Sequence, residues 1–266
     1  MEIPLFPLHT VLFPGVALPL HIFEERYRLM IARCLETQTP FGVVLIRDGR
    51  EVGGGQLSIA GVGTFAAIRE SEKLPDGRYE VLAVGVGRFA VREVDTDREP
   101  YLVATVEPLA ERSEDPDEAR RMVRRTTRRF VEYLHLVRPR DGEEGGDLDV
   151  RLEVEIGEGA DDERDAEEAD EGISIETETV ADGDDDEPER GIVRRIRVPD
   201  DPGTLAHLLS GIVQIDLVQK QALLEADTVE ERLAGLEAVL DQELLLLGRR
   251  LRRFEPDARA MEQRRN

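Results

Sequence analysis

The chain has 266 residues, with 35 Lys and Arg against 58 Asp and Glu, a formal net charge of −23 and a single cysteine. That length suits one or two domains with a real core, no apolar run approaches the roughly 20 residues of a membrane span, and a lone Cys34 excludes an internal disulfide or a thiolate metal cluster, so a reducing, cytoplasmic setting is expected. Twenty-four acids and three arginines lie between Asp141 and Arg190, which accounts for −21 of the total; the rest is nearly neutral, against a halophilic surface.

Residues 4–31, "PLFPLHTVLFPGVALPLHIFEERYRLMI", are apolar enough to suggest an export signal. No basic residue precedes Arg26, however, and Pro4, Pro7, Pro14 and Pro19 interrupt any apolar helix. The spacing instead predicts a strand over Glu2–Phe6, a turn at Pro14-Gly15, a strand over Ala17–Ile22 and then a helix. One face of that helix carries Phe23, Tyr27, Met30, Ile31, Cys34 and Leu35. From Phe41 to Leu109, short apolar runs such as "FGVVLIR", "TFAAIRE" and "RYEVLAVGV" alternate with Gly, Asp and Pro, the pattern of a small sandwich or barrel. "AGVGTFAAI" and "VGVGRFAV" repeat one another. Glycine-mediated bends explain the repeat better than a phosphate loop, which needs a third glycine and a following helix.

Asp115-Pro116 opens a predicted helix to about Val137, with Glu118 completing a capping box and Val123, Phe130, Leu134 and Val137 as its core stripe. Its other faces hold Arg120, Arg121, Arg124, Arg125, Arg128 and Arg129. Asp141 to Arg190 has too much like charge to order itself and is expected to be disordered or extended, with room for a hairpin in "RLEVEI" and "ISIETETV". A second Asp-Pro at 201 starts a helix with Leu205, Leu208, Leu209 and Ile212 on one stripe, and Ile215 to Leu224 continue as another. Asp227 or Thr228, with Glu230 or Glu231, caps a third. Its leucines at 233, 236, 240, 244, 247 and 251 suit packing on the helix after Asp115, or a coiled-coil dimer.

Chemistry-bearing motifs are missing. The dipeptide Gly-Lys does not occur, so there is no phosphate-binding P-loop. The five serines stand in no nucleophile-like setting, and His9, His21, His135 and His207 make no i, i+4 ligand pair. No cofactor and no catalysis are expected.

The proline placement of residues 4–31, followed by "GVGTFAAI", "LPDGRYEVLAVGVGRFAV" and more loosely the helices after Asp201, closely resembles the Lon N-terminal (substrate-binding) domain family. The resemblance implies an α+β fold: a PUA-like, mostly-β pseudo-barrel at 1–110, then an α-helical bundle. The first bundle helix would lie at 111–140, a disordered acidic insertion at 141–198, and the remaining helices at 199–266. It also implies a non-catalytic module that binds unfolded or degron-bearing polypeptides or acts as an adaptor, alongside a protease or other quality-control component. The ATPase and serine-lysine peptidase modules of the full enzyme have no counterpart in the motifs above. Phe13, His21, Phe23 and Tyr27 on the matching stretch are the candidate polypeptide contacts; the alternative for all four is a place in the core. A second function class is RNA binding, known among PUA-like domains, through Arg120, Arg121, Arg124, Arg125, Arg128 and Arg129. It is disfavoured because the folded part carries no net positive charge and few aromatics. No membrane partner is expected.

Overall fold

The computed structural model describes residues 1–48, 58–137, 150–156, 174–182, 189–198 and 201–254. In chain order the first lobe comprises β1 (Glu2–Leu8), β2 (Ala17–Ile22), α1 (Glu25–Thr37), β3 (Phe41–Asp48), β4 (Ser58–Ile59), β5 (Val62–Lys73), β6 (Tyr79–Asp95) and β7 (Val103–Leu109). β1 pairs antiparallel with β7 through its first residues and parallel with β3 through its last. With β3–β5, β5–β6 and β6–β7 the ring β1-β7-β6-β5-β3 closes on itself. β6 is long enough to serve two neighbours: Tyr79–Val84 pair with β2 and Arg88–Asp95 with β7.

The handover between those partners needs glycine. The Gly85 N–H donates to Val16 O at 3.1 Å and its carbonyl accepts from Gly15 N at 2.9 Å. A Cβ on Gly85 would lie 2.3 Å from Phe13 O, and Gly15 itself turns with φ +77. The repeated sequences turn out to be partners in one ladder, Gly63 opposite Phe89 and Phe65 opposite Gly87, with the two rings 4.8 Å apart. A Cβ on Gly63 would lie 2.6 Å from the Phe89 ring, so that glycine makes room for it, whereas at Gly87 a Cβ would meet Phe65 only in ordinary contact at 3.9 Å; both glycines are ladder residues and not part of a phosphate loop.

Three apolar clusters hold the molecule together. Tyr27, Met30, Ile31 and Cys34 of α1 pack on Phe6, Phe41, Val81 and Ala83. Ile3, Leu5, Val44, Phe65, Phe89 and Val106 fill a second. The third joins barrel and bundle: Val11, Phe13, Leu45 and Ala60 share it with α2 (Pro116–Val137), α3 (Pro202–Ile212), α4 (Leu217–Glu225) and α5 (Val229–Phe254). Each fully buried leucine there contributes about 1.5–3 kcal/mol of transfer free energy. Leu233, Leu236 and Leu240 of α5 are fully buried in that cluster with Met122, Val123, Phe130 and Tyr133 of α2, so this part of the α5 stripe packs within the bundle.

The helix starts follow their caps, with one difference. Asp115 Oδ1 accepts from Asp117 N and Glu118 N, Asp201 Oδ2 from Thr204 N at 2.7 Å, and Thr228 Oγ1 from Glu231 N at 3.1 Å. Glu118 does not complete the expected capping box. It pairs instead with Arg121 and Arg125, and the Asp115 N–H goes to Glu230 Oε1 at 3.0 Å. α1 also begins later than the periodicity suggests, at Glu25, which leaves Phe23 outside the helix.

Within 141–198, expected as a disordered insertion, the described residues form three strands, β8 (Val150–Ile156), β9 (Ser174–Asp182) and β10 (Glu189–Val198). The pairing differs from a hairpin of "RLEVEI" with "ISIETETV": β10 lies between the other two, antiparallel to β9 and parallel to β8. Arg195 stands in register between Glu153 and Glu176. The remaining positions of 141–198, and residues 255–266, lie outside the described residues.

Candidate functional site

β2, the first half of β6 and the second half of β5 form a three-stranded antiparallel wing. Strand alternation divides it into two faces. Ile22, Tyr79, Val81 and Ala83 are buried beneath α1, with Leu18 and Leu20 packed against them. On the opposite face Ala17, Pro19 and His21 stand in register with Val84, Leu82 and Glu80. None of these six belongs to a buried cluster; the β2 residues are exposed and Leu82 and Val84 half-buried. Val86 follows as the extra residue of a bulge between Gly85 and Gly87 and is 50% exposed.

Phe23 lies at one end of this face, 63% exposed, with its ring stacked 6.2 Å from that of His21. His21 is held on both sides. Its Nδ1–H donates to Glu80 Oε1 at 2.5 Å, and Arg78 Nη1–H donates to Nε2 at 3.1 Å. Asp76 in turn accepts from Arg78 Nε at 2.6 Å. Val16, just before β2, packs against the clusters of the covered side and meets α3, where a Cβ on Gly211 would lie 2.6 Å from Val16 Cγ2. The α3–α4 turn beyond it exposes Ile212, Leu217 and Val218, the last at 79%. Local charges there are consumed internally: Asp216 accepts from Gln219 N, and Lys220 Nζ donates to Gly211 O, both at 2.8 Å. The bare face is thus apolar at Phe23, Pro19, Leu82 and Val84 and polar at the His21 cluster and at Glu70 and Glu72, the exposed β5 residues in register with Leu82 and Glu80.

Of the four candidate contacts, His21 and Phe23 come together on this face, whereas Phe13 and Tyr27 are core residues, exposed by 0% and 2%. Sequence reasoning did not single out Pro19, Leu82 and Val84 on this face, nor the exposed apolar residues of the α3–α4 turn. "RYEVLAVGV" reads as one apolar run, and nothing in it says which alternate set lacks a cover.

The arginine face of α2 is largely neutralised. Arg120 pairs with Asp117 at 3.0 Å, Arg121 with Glu118 at 2.8 Å, Arg125 with Glu118 and Glu237, and Arg129 with Asp241. Arg124 and Arg128 are exposed without an acidic partner among the described residues. Two free cations one helical turn apart make a weak polyanion site.

A buried ionic node ties the barrel to the bundle. Glu111, just after β7, accepts from Arg232 Nη1 at 2.5 Å and from His207 Nε2 at 2.8 Å, with Arg88 Nη2 3.4 Å away. Arg88 also donates to the carbonyls of Leu224 and Ala226, and Arg232 to those of Leu223 and Ala226. Burial would raise the Glu111 pKa, but His207 and Arg232 outweigh it and hold the carboxylate down at about 2. Burial pushes His207 below its ordinary value and the Cys34 thiol up to about 11, which leaves that sulfur unreactive. Among the described residues no group of His, Cys, Asp and Glu could hold a metal ion, and no helix is long and apolar enough to cross a membrane.

These features sit on a known scaffold. The solved Lon N-terminal domain protein from Xanthomonas campestris superimposes with a TM-score of 0.54 at 22% identity, covering 90% of this chain and 98% of that one. The N-terminal domain of Mycobacterium avium complex Lon protease gives 0.52 at 16% identity, covering 91% and 98%. In sequence, the Lon protease of Escherichia coli strain K12 is 23% identical over 248 residues, 93% of this chain and 25% of that protein. The Lon protease of Anaeromyxobacter dehalogenans strain 2CP-C is 31% identical over 112 residues, 42% of this chain and 13% of that protein. The chain thus spans a quarter or less of the length of these proteases. The family model of the ATP-dependent protease La (LON) substrate-binding domain matches residues 2–242, nearly the whole chain, and to that family this protein belongs.

Proposed function

We propose that this chain binds unfolded or degron-bearing polypeptide on the bare face of the wing, from Phe23 across Pro19, Leu82 and Val84 to the α3–α4 turn, and that it does so without catalysis. The observation that carries this reading is a sheet face lacking the helix that covers its other side, with exposed apolar residues at Val86 (50%) and Phe23 (63%) on the wing and at Val218 (79%) on α4. Apolar side chains of an unfolded segment gain from leaving water on such a surface, whereas a folded, polar-surfaced protein offers few of them. A cytoplasmic client, passed to a protease or other quality-control component, fits a chain whose family is named for substrate binding. RNA binding is the weaker reading because four of the six α2 arginines are already paired.

The test is fluorescence anisotropy with a labelled, permanently unfolded polypeptide such as reduced, carboxymethylated lactalbumin. The Phe23→Ser/Val218→Ser double variant should bind about tenfold more weakly, roughly 1.4 kcal/mol, with an unchanged circular dichroism spectrum. Equal affinity for wild type and double variant would place the client elsewhere.

A further inference from the structure

Closure of the barrel leaves β2 with one paired side: it bonds to β6 and to no other strand among the described residues. The phase of that ladder is set by the Gly85 N–H donating to Val16 O. In antiparallel pairing, hydrogen-bonded pairs then recur every second residue at Leu18–Ala83, Leu20–Val81 and Ile22–Tyr79. The backbone groups of Ala17, Pro19 and His21 therefore point away from β6, along the free edge. Two of these three positions offer an N–H and a carbonyl; Pro19, at the centre, offers a carbonyl only.

We propose that Pro19 is a guard residue that prevents β2 from pairing edge to edge with the β2 strand of a second copy of this chain. A two-fold pairing centred on residue 19 would set Ala17 against the partner's His21 and residue 19 against its own counterpart. With proline there, both bonds of the central pair are lost and the two rings occupy the space of the opposing carbonyls. Shifting the register by two residues sets Pro19 against Ala17 or His21 and still loses a bond in each such pair. The rest of the edge is suited to pairing: Ala17 is small, and the His21 side chain is tied to Glu80 and Arg78 on the face, not along the edge. Proline at an outward N–H position is one of the few ways to blunt such an edge without disturbing the inner ladder. Resting on the docking reading above, the guard keeps the neighbouring face free for a client.

Pro19→Val restores the donor and adds a strand-favouring side chain. At matched concentration its light-scattering mass should be twice that of the wild type, and amide exchange at Ala17 and His21 should slow in the same sample. Pro19→Ala, which restores the donor with minimal bulk, should show the same exchange protection to a smaller degree, and it answers the question if the valine variant does not fold. Wild-type mass and wild-type exchange in the variants overturn the proposal, as does a doubled mass without protection at Ala17 and His21. Because no client is present, the result is independent of whether the face binds polypeptide.

Discussion

Glu111 is the residue on which the two lobes depend electrostatically. It faces His207 from α3, Arg232 from α5 and Arg88 from β6, and the Phe13 ring lies 6.2 Å from the His207 ring. Its folded pKa of about 2 lies below the ordinary 4.5, so its contribution is complete above pH 4.5 and is lost as the pH falls toward 2. His207 acts in the same direction at higher pH. Its Nε2–H is given to Glu111 and its Nδ1 is buried without a partner, so the folded state resists a second proton that the unfolded chain takes up below about 6.5. Stability should therefore fall in two steps on acidification. The Glu111 step has a ceiling of about 3 kcal/mol, which the third of its side chain still in water reduces to about 1–2 kcal/mol. Thermal melts from pH 8 to pH 2.5 test this. Glu111→Gln should melt lower than wild type at pH 7, because Arg232 and Arg88 lose their counter-charge, and should lack the step below pH 4.5. An acid step retained in the Gln variant would assign it to other carboxylates.

Among the elements, α5 separates two kinds of leucine. Leu236 is fully buried in the cluster shared with α2, while Leu245, nine residues on, is 55% exposed. Leu236→Ala should cost about 2–5 kcal/mol and Leu245→Ala less than about 0.5 kcal/mol, read as denaturant midpoints at unchanged slope. Similar losses at both positions would mean that the far half of α5 is covered in solution. Such helices were legible in the sequence because their signals are local: Asp-Pro at 201, the cap at Thr228 and leucines at helical spacing each constrain a few neighbouring residues. The wing was less legible. Phe23 extends the periodicity of α1 by one step, yet α1 begins at Glu25 and leaves it outside the stripe. The bare face depends on which alternate residues of β6 lack a partner layer, a property of topology that no short window contains. β8 to β10 were obscured for a related reason. The acidic balance counted over 141–190 omits Arg194, Arg195 and Arg197, which the registers set among Glu153, Glu155, Glu176 and Thr177.

For the whole molecule, chain order and spatial order differ in a way that can be tested. α2 precedes the acidic segment, whereas α3, α4 and α5 follow it, yet all four helices contribute to one apolar cluster that also includes Val11, Phe13, Leu45 and Ala60 of the barrel. Arg88 of β6 reaches across to the carbonyls of Leu224 and Ala226, and β8 pairs with β10 from the far side of the segment. These contacts predict that continuity of the backbone between 157 and 173 is not needed to keep the parts together. If a protease site is engineered into that interval and the chain is cut after folding, both fragments should elute as one particle of the intact mass. They should separate only in denaturant, at a midpoint that rises with protein concentration because the cut makes reassembly bimolecular. Fragments that part in plain buffer would show that the lobes on either side of the segment fold as independent units, and that the shared cluster contributes less than the cost of bringing two chains together.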